Sequence, residues 1–254
     1  MGRSYQLAFS DGNAAMFAQQ DRYKKADTML AVLADYFSGD VSPLRVLTVG
    51  CSTGFIELRL AENVQSVVGV DIDAPAIFFA KKLHVRDNLQ FAVGDAMNLS
   101  FPPEQFDVVI CSQVYEHVPD ASKMMTEIRR VLRPGGVCYF AATNRFCIME
   151  QHYFLPFLSV IPVSMAHVYL RLTGKGQHYY ERHLSYFGLT RLCMAFERID
   201  YTKSLIVESA KFKTAYLFSD KPLKALIAKV MLRCAYCVFP GYVWLLRKPE
   251  SASA

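Results

Sequence analysis

Residues 45–55 read Arg-Val-Leu-Thr-Val-Gly-Cys-Ser-Thr-Gly-Phe, a short β-branched run that stops on a turn bounded by Gly50 and Gly54. A run of this kind predicts a buried strand ending in a tight loop and a helix start. The centre of the stretch also fits G-x-S-x-G, with Ser52 at the nucleophile position. A nucleophile elbow, however, needs an upstream loop that donates N–H groups to an oxyanion, and only a helical pattern precedes this strand. A dinucleotide fingerprint needs glycine at its second and third positions, where this chain has Ser52 and Phe55. Both mismatches argue against those two ligand classes.

Outward from the loop, the runs RVLTV, SVVGVD, LQFAV, FDVVIC and GVCYFAA alternate with helical patterns. Nearly continuous apolar strands separated by helices predict an α/β fold, a doubly wound and mostly parallel sheet covered on both faces. Residues 21–37 repeat apolar positions at helical spacing and predict a helix beside the sheet. LRPGG at 132–136 predicts a helix end and a turn before the fifth strand. After Asn144 the rhythm breaks over residues 145–183, an apolar insertion with Pro156, Pro162 and the turn Gly174-Lys175-Gly176. The pattern then resumes with a helix near 184–196, a strand near 198–207 and a last strand at 241–246. The reading is one domain, 1–254, divided into an N-terminal helical segment (1–44), a core (45–144), the insertion or lid (145–183) and a C-terminal part (184–254).

SVVGVD ends on Asp71, 21 residues after Gly50. A carboxylate at the end of the second strand accepts hydrogen bonds from both hydroxyls of a ribose lying across the strand ends, so a nucleoside-like ligand is expected. Taken singly, Asp71 also reads as the cap of the helix beginning APAIFFAKKL, and Asp95 as a turn residue.

Four motifs in order, VLTVGCSTG, VVGVDID, VGDAMNLSFPPEQFDVVICSQVYEHVPD and LRPGG, resemble class I S-adenosylmethionine-dependent methyltransferases, near the ubiquinone/menaquinone-biosynthesis type. The resemblance covers residues 45–143 strongly and 184–249 loosely, and it implies a Rossmann-like seven-stranded fold with S-adenosyl-L-methionine as cofactor. It puts Gly50, Cys51, Ser52 and Gly54 around the methionyl portion, Asp71 on the ribose, Ile72 against adenine, Asp95 and Ala96 on the adenine edge, and Cys111, Ser112 and Gln113 beside the reacting methyl. One departure is Thr48, where the family usually has an acidic residue; a hydroxyl replaces one hydrogen bond but not the charge. His117, just past the fourth strand, reads either as a general base, with Glu116 orienting it and an imidazole pKa suited to neutral pH, or as a residue that caps the following turn or hydrogen-bonds backbone. Some quinone O-methyltransferases of this type build a metal site from E-x-x-E-H. Here Gln113 stands at its first place, so no metal is expected.

Seven cysteines scattered in apolar segments read as reduced thiols, including the lone C-x-x-C of Cys234 and Cys237. The segment 174–187 gathers His178, Tyr179, Tyr180, Glu181 and His183, which reads equally as a substrate lid or as the start of an amphipathic helix with solvated charges. Charge is uneven: residues 201–254 carry nine Lys/Arg against three Asp/Glu, within a net +5. That pattern argues against a nucleic-acid partner and for a local anionic one, an anionic membrane surface. Residues 153–170 hold no formal charge apart from His167, but two prolines and the following Arg171 break a span, so the segment reads as shallow membrane contact or as a buried lid. On residues 221–238, helical spacing puts Lys221, Lys224, Lys229 and Arg233 opposite Leu223, Leu226, Ile227, Val230, Met231 and Cys234, which suits either lipid or the sheet. The start MGRSYQLAFS has neither a signal-peptide run nor, with Gln6, a myristoylation pattern, so a cytoplasmic or peripheral protein is expected. The overall expectation is O-methylation of a small-molecule or lipid-linked acceptor, with carbon methylation left open. The alternative is a non-catalytic nucleoside-binding subunit that docks a partner through the insertion.

Overall fold

The computed structural model describes residues 7, 10, 14–217 and 222–250; Lys221 and the first six residues lie outside them. The expected apolar runs form parallel strands β1 (Arg45–Val49), β2 (Ser66–Asp71), β3 (Leu89–Val93), β4 (Phe106–Ser112) and β5 (Leu132–Thr143). Further along, β6 (Met149–Glu150) and β7 (Leu155–Pro156) make a separate two-stranded pair, while β8 (Glu197–Asp200) and β9 (Gly241–Arg247) complete a seven-stranded sheet. Its order is β3-β2-β1-β4-β5-β9-β8, and β9 runs antiparallel to both neighbours. The chain leaves β1 toward β3 and then returns to place β4 on the other side of β1. The crevice beyond the carboxyl ends of β1 and β4 is therefore the topological switch point, where ligands bind in open α/β sheets.

Helices α1 (Gln19–Tyr36), α2 (Phe55–Leu60) and α3 (Ala74–Leu83) share one core with Val46, Val108 and Ile110. The opposite face packs α4 (Ala121–Val131) onto Leu47, Val49, Val109 and Cys111. Alternate residues of β4 thus serve opposite cores, as a pleated strand buried on both faces requires. Asp73 caps α3, its Oδ1 accepting from the Ala76 N–H at 3.2 Å. Asp71 is thereby free of the capping role that the sequence left open.

Three expectations need correction. LRPGG does not stand apart as a turn: α4 ends at Val131 and β5 begins at Leu132. Gly135 N–H donates to the Lys248 carbonyl and Lys248 N–H to the Gly136 carbonyl, so β9 draws the glycines into the sheet edge, with a register shift opposite Phe106/Val108. The strand near 198–207 is only β8; the rest is α7 (Thr202–Val207), where Tyr201 and Leu205 are buried four residues apart. Packing overrides the strand propensity of Leu-Ile-Val here. The helix near 184–196 is shorter than expected, α6 (Tyr186–Leu192), capped by Ser185.

Residues 145–183 hold the β6/β7 pair and α5 (Val163–Leu172), around a small core of Leu155, Leu158, Ala166, Leu170 and Tyr179. No helix of the described residues is long and apolar enough to cross a membrane. Outside that core the same segment turns Phe154, Phe157, Met165 and Leu172 outward. Finally α8 (Pro222–Cys234) buries only Ala228 fully, exposing Leu223, Leu226, Ile227 and Val230.

Candidate functional site

The loop after β1 depends on backbone that side chains resist. Gly50 has φ +74° and Gly54 φ +80°; a Cβ on Gly54 would stand 2.6 Å from the Phe91 ring. Glycine is needed at both for conformation and for space, since a Cβ on Gly50 would stand 2.6 Å from the Val114 side chain. Ser52 (φ +49°) and Gln113 (φ +58°), on the loops after β1 and β4, also take left-handed backbone. Such strain persists where surrounding structure enforces it, and these two of the seven described non-glycine positions with positive φ lie at the switch point.

Asp71 holds this loop. Its Oδ2 accepts from the Ser52 N–H at 2.7 Å and its Oδ1 from the Asp73 N–H at 2.9 Å. A carboxylate has about four acceptor positions, and with the Ile72 N–H also bonding to Asp71 one remains for a ribose hydroxyl. Burial raises the Asp71 pKa, partly countered by these N–H bonds. Ser52 Oγ is buried without a hydrogen-bond partner, a polar atom beside exposed Gly50. These features fit a nucleoside with a polar tail. Asp95, at the next strand end, accepts from the Met97 N–H at 2.9 Å, and half-buried Ile72 and Ala96 flank the pair of acids.

Cys51 and Cys111 both turn their side chains into the cores of the sheet. Cys51 packs into the core, where a Cβ on Gly69 would stand 3.0 Å from its Sγ. Cys111 is fully buried on the α4 side. Burial pushes both thiols well above their ordinary pKa, so neither is reactive. The charge missing at Thr48 reappears from elsewhere: Glu57, in the first turn of α2, is 2% exposed and hydrogen-bonds with Thr48. No spacing rule marks Glu57, because α2 brings it behind the loop only after folding.

Beyond β4 the chain is pinned by Tyr115, which donates to the Thr143 carbonyl at 2.6 Å and accepts from the Leu184 N–H at 3.1 Å. Half-buried Ser112 precedes Gln113, whose Oε1 accepts from Thr143 Oγ1 at 2.7 Å. Glu116 and His117 then meet groups that arrive from the insertion and the segment after it. Residues 178–185 are extended, not helical, so Tyr179, Glu181 and His183 turn inward while His178, Tyr180 and Arg182 face out. Glu150 and His152 join from β6 and the turn after it. Sequence reasoning missed both; the only signal was Glu and His two apart in an apolar insertion.

His117 differs from expectation in two respects. The carboxylate facing its Nδ1 is Glu181, at 3.9 Å, and not Glu116, whose oxygens have no hydrogen-bond partner. Burial, with His152 and His183 nearby, pushes the imidazole down to about 3, so it is neutral at physiological pH. A cavity of about 400 Å³ lies alongside, lined in part by Tyr179, Glu181, His183 and Val163.

Known proteins share parts of this architecture. Residues 47–140 match a family model described as a methyltransferase domain. The chain is 34% identical over 123 residues to the ubiquinone biosynthesis O-methyltransferase of Pseudomonas fluorescens, covering 45% of this chain and 53% of that one. It is 37% identical over 107 residues to a fatty-acid O-methyltransferase of Mycolicibacterium smegmatis, covering 41% and 38%. The chain thus spans about half the length, or less, of these relatives. Among solved structures it resembles the [4+2]-cyclase SpnF (TM-score 0.55, 21% identity, 89% of this chain and 82% of that one). It also resembles an S-adenosylmethionine-dependent methyltransferase of Methanosarcina mazei (TM-score 0.52, 20% identity, 83% and 94%). At these identities the structures speak for the Rossmann-like fold alone. The domain match bears out the resemblance read from the motifs and supports S-adenosylmethionine as the cofactor.

Proposed function

We propose that this chain, which carries a methyltransferase domain over residues 47–140, transfers a methyl group from S-adenosylmethionine to an oxygen of an amphiphilic small-molecule or lipid-linked acceptor. The observation that carries the reading is Asp71 at the switch point, which holds the glycine loop through Ser52 N–H and keeps an acceptor position for a ribose hydroxyl. Gly50, Ser52 and Gly54 would receive the methionyl portion, with Cys51 and Cys111 contributing backbone only. Asp71 would take the ribose, Ile72, Asp95 and Ala96 the adenine, and Ser112 and Gln113 the edge near the methyl.

The reaction is an in-line displacement. An acceptor oxygen forms the new bond to carbon as the carbon–sulfur bond breaks, the electron pair leaves on sulfur, and the acceptor's proton passes to His117. Most of the acceleration comes from holding the partners in line and dry, worth roughly 7–11 kcal/mol in well-oriented systems. Oxygen as the nucleophile is favoured by the His/Glu lining near the cavity and by the two relatives, which are named for O-methylation.

An amphiphilic acceptor is favoured by the exposed apolar rows. Helix α8 packs on its Ala228 side and turns Leu223, Leu226, Ile227 and Val230 outward, between Lys224 on one flank and Lys229 and Arg233 on the other. An aliphatic ridge bordered by lysines suits an anionic lipid surface at the cytoplasmic face. The doubly substituted Leu226→Glu/Ile227→Glu variant is expected to bind vesicles of phosphatidylglycerol and phosphatidylcholine at least about tenfold more weakly than the parent. Equal sedimentation of both proteins with vesicles would remove the membrane role.

Radiolabelled methyl transfer from the cofactor into a membrane extract tests the activity. Cofactor binding without transfer to any fraction would favour the non-catalytic subunit. Asp71→Ala is expected to weaken cofactor binding by about 1–3 kcal/mol, with Asp71→Asn losing less because one acceptor oxygen remains. Unchanged affinity by calorimetry in Asp71→Ala contradicts the ribose assignment.

A further inference from the structure

Six titratable side chains meet at the junction of the β4 loop, the insertion and the segment that follows it: Glu116, His117, Glu150, His152, Glu181 and His183. Glu116 is 1% exposed, Glu150 0% and Glu181 4%. Glu150 is the centre. Its Oε2 accepts from the His152 and Tyr153 N–H groups at 2.8 and 2.9 Å, which aims Oε1 at His152 Nδ1 (2.6 Å) and His183 Nε2 (3.3 Å). One oxygen is thus fixed by backbone while the other faces two imidazoles.

We infer that Glu150, His152 and His183 form a binding site for one divalent transition-metal ion, with Glu116 beside it as a further ligand or direct partner. The three donor atoms lie within 4.8 Å of one another. A zinc-type ion sits about 2.0–2.2 Å from each ligand, which asks for separations of roughly 3.4 Å between ligand atoms. The 3.3 Å pair already meets this, and the 2.6 Å pair needs only a small opening. Two imidazoles and one carboxylate suit zinc, iron(II) or manganese and not the all-oxygen shells of magnesium or calcium.

An independent observation comes from Glu116. Both of its oxygens are buried without a hydrogen bond, and one lies within 4.8 Å of ligating atoms of His117 and His152. Burying a carboxylate without a partner is costly, and burial raises its pKa. Among the described residues none of the three carboxylates has a Lys or Arg within ion-pairing distance; Glu150 and Glu181 approach histidines alone. A dication offsets the charge of two of these carboxylates. The arrangement differs from E-x-x-E-H, since Gln113 holds that motif's first place and three ligands come from residues 150–183. His183 also lines the 400 Å³ cavity. Activation of an acceptor hydroxyl by that ion rests on the methyl-transfer reading; binding of the ion does not.

The test uses the full chain in a Cys234→Ser/Cys237→Ser background, because those two thiols are exposed and would bind zinc themselves. After chelation and dialysis, calorimetric titration is expected to show one Zn²⁺ per chain, with Co²⁺ giving a visible ligand-field spectrum and Mg²⁺ binding far more weakly. His152→Ala and His183→Ala should each weaken Zn²⁺ binding by about 100-fold or more. Cofactor titration of the same variants reports their folding. If they fail to fold, the stoichiometry and Co²⁺ spectrum of the parent decide. No stoichiometric Zn²⁺ uptake, or uptake undiminished in the folded variants, overturns the site. Cofactor binding and methyl transfer that survive such a result would leave the functional proposal standing.

Discussion

His117→Ala is expected to lower methyl transfer by about 10²-fold while leaving cofactor affinity within about twofold. A positioned base contributes about 10²–10⁴-fold in general, and the surroundings of His117 set where in that range it falls. Burial keeps the imidazole neutral at physiological pH. The same burial makes the imidazolium costly, which weakens the base and moves the benefit toward the lower end. Glu181, 3.9 Å from Nδ1, offsets part of that cost once a proton arrives. The measurement is single-turnover transfer beside cofactor calorimetry. A base yields a loss confined to the chemical step, whereas a packing role would move affinity and thermal stability too. Full activity in the variant removes His117 as the proton acceptor.

The sheet was legible because parallel strands buried on both faces carry almost unbroken apolar runs. RVLTV, SVVGVD and LQFAV coincide with β1, β2 and β3 to the residue. Legibility failed where distant segments decide local structure. Gly135 and Gly136 read as a turn until Lys248, more than a hundred residues later, pairs with them. Thr202–Val207 has strand composition and becomes a helix because Leu205 reaches the core that α1 also lines. The cofactor loop was readable for a local reason: left-handed backbone needs glycine, and Gly50 and Gly54 mark it.

The acceptor side was the opposite case. Glu150 and His152 carry no motif, and only the return of the chain through 178–185 sets them against Glu116 and His183. Alternation in that extended segment, Tyr179, Glu181 and His183 inward, would have been found by testing period two as well as helical period on the sequence. The pKa of His117 was out of reach for a related reason. It depends on two histidines, 35 and 66 residues further along the chain, that bury it and oppose its charge.

At pH 8 the Glu57→Gln variant is expected to be more stable than the parent by about 3 kcal/mol, and near pH 4 the two should be equal. Burial pushes the Glu57 carboxyl up to about 7; Thr48 and Arg22 work against the rise, and Asp71 adds to it. A raised folded pKa means that the folded state holds its proton longer than the unfolded chain does. The stabilising contribution is therefore complete below about 4.5 and is lost as pH climbs through 7, at roughly 1.4 kcal/mol for each pH unit between those two values. Glutamine keeps the shape without the charge, so urea unfolding of the two proteins across this range isolates the effect; parallel curves at every pH would refute it. The retention of a destabilising acid behind the glycine loop calls for a compensating gain, and Thr48 indicates where it lies. A cationic cofactor bound near Asp71 and Glu57 favours the ionised carboxylate, so cofactor binding at about pH 6.5 should release a proton in the parent and not in Glu57→Gln. The variant that is harder to unfold should then bind the cofactor less tightly, a trade that calorimetry in buffers of different ionisation enthalpy measures directly.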